Sequence, residues 1–84
     1  MKAAKALAIQ YRNDFPAPLI CAKGKGDLAE RLLEIARKNG IEIVKDEAVT
    51  EGLFHLERGD FIPPEYYAAI AEMIAFVYKV RKNR

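Results

Sequence analysis

The side chains most often used in catalysis are scarce in this chain, which has one cysteine, Cys21, and one histidine, His55. A nucleophilic thiol must be exposed and close to a base. Cys21 instead lies inside the apolar run Leu-Ile-Cys-Ala, which predicts burial as a small hydrophobic side chain. A redox or hydrolytic enzyme using Cys21 and His55 is therefore the weakest hypothesis, and one thiolate excludes a zinc site built from several cysteines.

The stretch Lys-Gly-Lys-Gly-Asp at residues 23–27 is the one segment with a phosphate-binding character. Glycines at the start of a helix can form an anion-binding nest. The P-loop spacing is absent, however, no Ser or Thr follows the lysine, and Asp27 would repel a phosphate. A structural turn is the favoured interpretation, with anion binding as the alternative.

The carboxylates and aromatic side chains form no pattern that requires a ligand. The glutamates of the two predicted central helices indicate solvated faces, and no spacing with His55 suggests a metal site; they are Glu30, Glu34, Glu47, Glu51 and Glu57. The aromatic side chains of the second half predict core and rim positions rather than a base-stacking platform; they are Phe54, Phe61, Tyr66, Tyr67, Phe76 and Tyr78. We expect no cofactor and no metal.

The charge of the chain is concentrated at its end. The 84 residues include 14 Lys and Arg and 12 Asp and Glu, which gives a formal net charge of +2. Four basic residues follow the last acidic residue, Glu72; they are Lys79, Arg81, Lys82 and Arg84. Without these four, acidic residues outnumber basic ones. Nucleic-acid or acidic-partner binding through this basic helix end is the alternative hypothesis for function, whereas a basic face over the whole domain is lacking.

Length and hydropathy predict one small domain, residues 1–84, with a modest core. The first residues contain no apolar run of signal-peptide length. The longest apolar stretch, residues 66–80, is too short to span a bilayer and contains Glu72 and Lys79.

The elements that would position these residues begin with two strands. Alternating side chains at residues 3–11 place Leu7, Ile9 and Tyr11 on one face, and the apolar run at residues 19–22 predicts a second strand. The short proline-containing connection between them favours antiparallel pairing. Asp27 and Glu30 are spaced as a capping box for a helix that ends at Asn39-Gly40.

A third strand is predicted at residues 41–44 (Ile-Glu-Ile-Val), parallel to the second through a right-handed crossover. Asp46 then opens a helix that carries Ala48, Val49, Leu53 and Leu56 inward and ends by Gly59. The last helix starts near residues 62–65, where prolines occupy its first turn. The expected fold is a small α/β sandwich with a mixed sheet in the order β-β-α-β-α-α.

Residues 62–78 (IPPEYYAAIAEMIAFVY) closely resemble the last helix of the FlhB family, whose pattern is I-P-x-E-L-Y-x-A-[VI]-A-E-[VI]-L-A-[FY]-V-Y. Residues 18–24 (PLICAKG) resemble the family's P-x-[VI]-x-A-K-G, and residues 6–11 (ALAIQY) resemble the strand that opens its cytoplasmic domain. The resemblance extends over essentially the whole chain in the same order. It implies the fold of the FlhB/YscU cytoplasmic domain.

The resemblance also implies a function in bacterial flagellar type III protein export, where the family's cytoplasmic domain helps to select and switch export substrates. That switch depends on self-cleavage in an Asn-Pro-Thr-His motif, where the Asn side chain cyclises on its own backbone carbonyl. Aligned through residues 6–11, these positions are Met1, Lys2, Ala3 and Ala4, so the reacting amide is absent. We therefore expect a stand-alone, non-enzymatic relative without the cleavage motif or the family's transmembrane helices.

The resemblance further implies a cytoplasmic protein that is peripheral to the export gate and contacts export-apparatus proteins or export substrates. The contact residues that it suggests are Ala22, Lys23, Gly24 and Lys25, because this polar, glycine-rich stretch is hard to explain by packing.

Overall fold

A computed structural model of the protein describes residues 4–82 and begins with a β-hairpin. Strand β1 (Lys5–Gln10) pairs with strand β2 (Leu19–Lys25) in antiparallel orientation, as the short connection predicts. The register shifts between Ala8 and Ile9, which pair with Ala22 and Ile20. Cys21 is therefore the extra residue of a β-bulge, opposite no residue of β1.

Helix α1 (Asp27–Lys38) follows β2 directly. The predicted capping box is wrong: the residue before the helix is Gly26, with a φ of 63°, and no side chain caps the helix. The predicted end is confirmed, because the Asn39 side-chain amide donates to the Ile35 backbone oxygen at 2.8 Å and Gly40 has a φ of 68°.

The predicted third strand is wrong, because residues 41–46 form no strand and the sheet of the described residues has only β1 and β2. Both ends of this segment are held by helices. The Ile41 N–H donates to the Ala36 oxygen of α1 at 2.9 Å, and the Asp46 carboxylate accepts from the Val49 N–H at 3.1 Å. The parallel crossover and the mixed sheet are therefore absent from the described residues.

Helix α2 (Glu47–Leu53) begins at its N-cap Asp46, as the sequence predicts. Val49 and Leu53 are buried as expected, whereas Ala48 is exposed, contrary to the prediction. The helix ends earlier than expected, since residues 54–55 and 58–59 form turns. Across the second of these turns the Asp60 carboxylate accepts from the Glu57 N–H at 2.7 Å.

Residues 59–62 run along the outer edge of β2 before the last helix. The Ile20 N–H donates to the Asp60 oxygen at 2.9 Å, and the Gly59 N–H donates to the Ile20 oxygen at 2.8 Å. A single-turn 3-10 helix (Pro64–Tyr66) then leads into helix α3 (Tyr67–Lys82). The proline-containing start predicted for the last helix is confirmed.

One core joins the hairpin to the second half of the chain. Its five buried side chains come from β2, α2, the segment before the 3-10 turn, and α3; they are Ile20, Val49, Leu53, Ile62 and Ile70. Leu7 and Ile9 pack against this core, so the alternation of β1 is confirmed for these two residues. Helix α1 lies against both strands through the buried Ala29.

Candidate interaction site

An apolar groove of about 620 Å³ lies beside β1. It is bordered by β1, residues 41–46, the start of α2 and one face of α3. The apolar side chains that line it are Leu7, Ile9, Tyr11, Ile41, Val44, Val49, Ile70, Met73, Ile74, Val77 and Tyr78. This volume lies within the range of ligand-binding clefts in proteins.

The rim of the groove exposes large apolar side chains to solvent. Tyr78 is 70% exposed, Ile41 55% and Tyr11 47%. Solvent-exposed apolar side chains that gather around one groove indicate an interaction surface. Apolar side chains of α3 contribute to both regions. Ile70 is buried in the core and Ile74 packs against it, and both line the groove together with Tyr78.

The polar residues of the lining are Gln10, Glu42, Asp46, Thr50 and Arg81. Asp46 is hydrogen-bonded within the fold. Its carboxylate caps α2, and its backbone oxygen accepts from the Thr50 hydroxyl at 2.9 Å. Arg81, at the end of α3, is an exposed cation of the lining. The lining is therefore mainly apolar and includes the carboxylates of Glu42 and Asp46 as well as the guanidinium of Arg81.

The predicted contact residues Ala22, Lys23, Gly24 and Lys25 all lie in the last part of β2. None of them lines the apolar groove. Gly24 is buried, and a Cβ atom there would lie 2.8 Å from the Leu28 carbonyl carbon and 2.9 Å from the Ala29 nitrogen. The close approach of α1 therefore requires a residue without a Cβ atom at position 24. The sequence alone does not reveal this contact.

Lys23 also has partners within the fold. Its ammonium donates to the Phe54 backbone oxygen at 2.9 Å and lies 3.4 Å from the Glu57 carboxylate. The ring of Phe54 is contacted by two cations, since the Lys23 and Lys5 ammonium groups lie 5.2 and 5.3 Å from its centre. Lys5 in turn binds the Glu51 carboxylate at 2.8 Å. These contacts join the hairpin to the end of α2.

Lys25 differs from its neighbours because it is exposed and pairs across the hairpin with Lys5. Ala22 is half-buried. Lys25 is thus the member of the predicted contact set that offers an exposed side chain, and the contact role of all four residues stays a prediction.

The sequence prediction that Cys21 is buried is wrong. Cys21 is exposed because the β-bulge places it opposite no residue of β1. His55 is also exposed and lies in the turn after α2 rather than in a helix. Among the described residues, no hydrogen bond joins the two side chains.

Residues 4–82 contain neither a cluster of metal-ligating side chains nor a membrane-spanning helix. No group of three or more His, Cys, Asp or Glu side chains there could hold a metal ion. No helix in that part of the chain is long and apolar enough to cross a membrane.

The structure describes the basic C-terminal end of the chain as far as Lys82. Lys79, Arg81 and Lys82 occupy the last turn of α3, where cations interact favourably with the helix dipole. Arg84, and the positions Met1, Lys2 and Ala3 that align with the cleavage motif, lie outside the described residues. Nucleic-acid or acidic-partner binding by this end stays a prediction.

Comparison with known proteins identifies the family. A family model described as the FlhB HrpN YscU SpaS Family matches residues 4–77. The chain belongs to this family. The FlhB/YscU resemblance of the sequence is therefore confirmed, and the family links the chain to flagellar biosynthesis and type III export in bacteria.

Two relatives illustrate how much of the family's sequence the chain contains. YlqH of Bacillus subtilis (strain 168) is 36% identical over 80 residues, covering 94% of this chain and 86% of YlqH. The flagellar biosynthetic protein FlhB of Escherichia coli (strain K12) is 36% identical over 81 residues, covering 94% of this chain. The chain spans 21% of that FlhB protein.

Solved structures of the FlhB/YscU family share the fold. The cytoplasmic domain of FlhB from Shewanella putrefaciens matches with a TM-score of 0.89 at 29% identity, over 94% of this chain and 66% of that one. The PscU C-terminal domain matches with a TM-score of 0.81 at 28% identity, over 87% of this chain and 95% of that one. The predicted FlhB/YscU cytoplasmic-domain fold is therefore confirmed, although the third strand of the prediction is not formed.

Proposed function

We propose that this protein is a non-enzymatic component or modulator of flagellar type III protein export that acts in the cytoplasm. In this role it binds export substrates or proteins of the export apparatus, as an interaction module related to the FlhB substrate-specificity switch. Membership of the FlhB family supports the pathway, and the apolar groove beside β1 supports binding as the activity.

The single observation that carries the proposal is the groove with its exposed apolar rim. Leu7, Ile9, Ile74 and Val77 line it at half-buried positions, and the largely exposed Tyr78 stands at its border. Covering such a surface removes apolar area from water and so favours association. Because the groove occupies only part of a small domain, we expect a small interface and transient binding.

The stretch Ala22, Lys23, Gly24 and Lys25 is proposed as a second contact region. Lys23 and Gly24 hold the hairpin against α2 and α1, so a partner would meet this region mainly through the exposed Lys25. A charge-reversing Lys25→Glu substitution should weaken binding without disturbing the fold.

A complementation experiment tests the function. The chain is expressed in a strain whose FlhB lacks its cytoplasmic domain, and motility and secretion of flagellar proteins are measured. We expect partial recovery. No recovery, together with no binding to gate proteins or export substrates in vitro, would overturn the proposal.

Two aromatic substitutions on α3 connect recovery to the groove. Tyr78, which lines the groove, and Phe76, which does not, are both exposed, at 70% and 54%. Tyr78→Asp should abolish recovery, whereas Phe76→Asp should preserve it, with both variants equally folded by circular dichroism. Equal recovery in the two variants would contradict a role for the groove.

A further inference from the structure

The outer edge of β1 is an unpaired sheet edge. The Gly26 N–H donates to the Ala4 oxygen at 2.7 Å, so Ala4 directs its backbone groups toward β2. In an antiparallel pair, alternate residues direct both backbone groups to the same side. The N–H and C=O groups of Lys5, Leu7 and Ile9 therefore point away from β2, and no backbone hydrogen bond from them to another described residue is formed on that side.

The outer edge of β2, in contrast, is paired at its start with a later part of the chain. There, residues 59–62 supply three backbone hydrogen bonds, including one from the Ile62 N–H to the Pro18 oxygen at 2.8 Å. Unpaired edges are templates for strand addition, and proteins usually cover or blunt them. The chain therefore pairs the outer edge of the hairpin at residues 18–20 with residues 59–62, whereas the outer edge of β1 has no such pairing among the described residues.

The open edge faces the apolar groove. Leu7 and Ile9 contribute side chains to its lining, and residues 41–46 border it without pairing with β1. The segment is held at Ile41 by α1 and at Asp46 by α2. A strand bound at this edge would therefore find backbone partners on β1 and apolar walls for alternate side chains.

We infer that an extended segment of a flagellar export substrate, with apolar side chains at alternate positions, binds here as a third strand on β1. This inference rests on the proposed function and adds the mode of recognition. The guest backbone pairs with Leu7 and Ile9, and every second guest side chain enters the groove. The main-chain hydrogen bonds to β1 then provide affinity, and the groove selects segments that have apolar side chains at alternate positions.

Backbone methylation distinguishes strand addition from other apolar docking. Overlapping peptides of about ten residues, cut from the flagellar export substrates of the same genome, are screened for binding, and the strongest binder is the probe. N-methyl groups on one set of alternate residues should weaken its binding at least about tenfold, since that set donates to β1. N-methyl groups on the other set should have little effect, which makes the second set the matched control.

Amide exchange on the protein side locates the contact. The N–H groups of Leu7 and Ile9 should exchange rapidly in the free protein and slow by about tenfold or more with the probe bound. Protection of these groups in the free protein, together with protection across residues 41–44, would show that the chain closes its own edge and would overturn the inference.

The remaining outcomes separate this inference from the proposed function. Equal weakening, or none, by the two methylated sets overturns strand addition but leaves groove docking intact if Tyr78→Asp still abolishes binding. Absence of binding by every peptide overturns the inference, whereas the proposed function is then judged by the complementation experiment alone.

Discussion

Lys23 on β2 contacts Phe54 at the end of α2 in two ways. Its ammonium donates to the Phe54 backbone oxygen at 2.9 Å and lies 5.2 Å from the centre of the Phe54 ring. The oxygen belongs to a turn that follows the last residue of a helix, where carbonyl groups lack helical partners. One lysine therefore satisfies a helix end and joins the hairpin to the second half of the chain.

Lys23→Met should lower the free energy of unfolding by about 1–3 kcal/mol, because a charged hydrogen bond and a cation–π contact are lost while the aliphatic stem is kept. Urea denaturation followed by circular dichroism measures the change. Lys25→Met is the control: it removes an exposed cation opposite Lys5 and should change stability by less than about 0.5 kcal/mol. Equal midpoints for the two variants would contradict the structural role of Lys23.

Gly24→Ala should destabilise the fold by about 1–3 kcal/mol, since a Cβ atom would collide with the backbone at Leu28 and Ala29. Amide shifts along α1 should move in NMR spectra as the helix is displaced. Gly40→Asn serves as the comparison, because Gly40 has open space around it and asparagine tolerates its φ of 68°. Similar shifts along α1 in both variants would refute the packing role of Gly24.

Gly52 and Tyr66 should be energetically coupled. The Tyr66 hydroxyl occupies the space that a Cβ atom at Gly52 would need. Gly52→Ala should therefore destabilise the wild-type chain, and Tyr66→Leu should remove most of that effect. A double-mutant cycle in urea measures a coupling energy of about 0.5–3 kcal/mol; additive changes would argue against the contact.

Cys21 should react with a thiol reagent in the native state at a rate within about tenfold of the rate in urea, because the bulge exposes it. The comparison protein carries Cys21→Ser and Ala6→Cys, which moves the thiol to a buried position in the neighbouring strand. That thiol should label slowly without denaturant. Slow labelling of native Cys21 would mean that the bulge is absent in solution.

The chain should remain intact, since the positions that align with the family's cleavage motif are Met1, Lys2, Ala3 and Ala4. Mass spectrometry after long incubation at neutral pH should show one species of about 9.5 kDa. The appearance of a second species cut near residues 1–5 would contradict this expectation.

The sequence predicts those structural elements that depend on interactions between residues close together in the chain. Asp46 is the N-cap of α2, and Asn39-Gly40 ends α1. The hairpin also followed from a short proline-containing connection. In each case the deciding interaction lies within a few residues, where spacing along the chain determines geometry.

Features set by distant parts of the chain could not be predicted. Residues 41–44 have the side chains of a strand, yet hydrogen bonds to α1 and α2 hold the segment apart from β1. The apolar run around Cys21 predicted burial, but a register shift against β1 exposes it. The groove could not be predicted for the same reason, because its lining comes from four separate parts of the chain. Its one signal in the sequence is the helical spacing of Ile70, Ile74 and Val77 on the last helix.

The contact between residues 59–62 and β2 also constrains the order in which a nascent chain can fold. Half of the sequence separates Leu19 from Phe61, which form an isolated antiparallel bridge. Contacts between near neighbours form faster than those that close long loops. The hairpin and α1 can therefore assemble while the chain is still being synthesised. Ile20 is fully enclosed only after Ile70 has left the ribosome, so the core is completed later than the hairpin and α1.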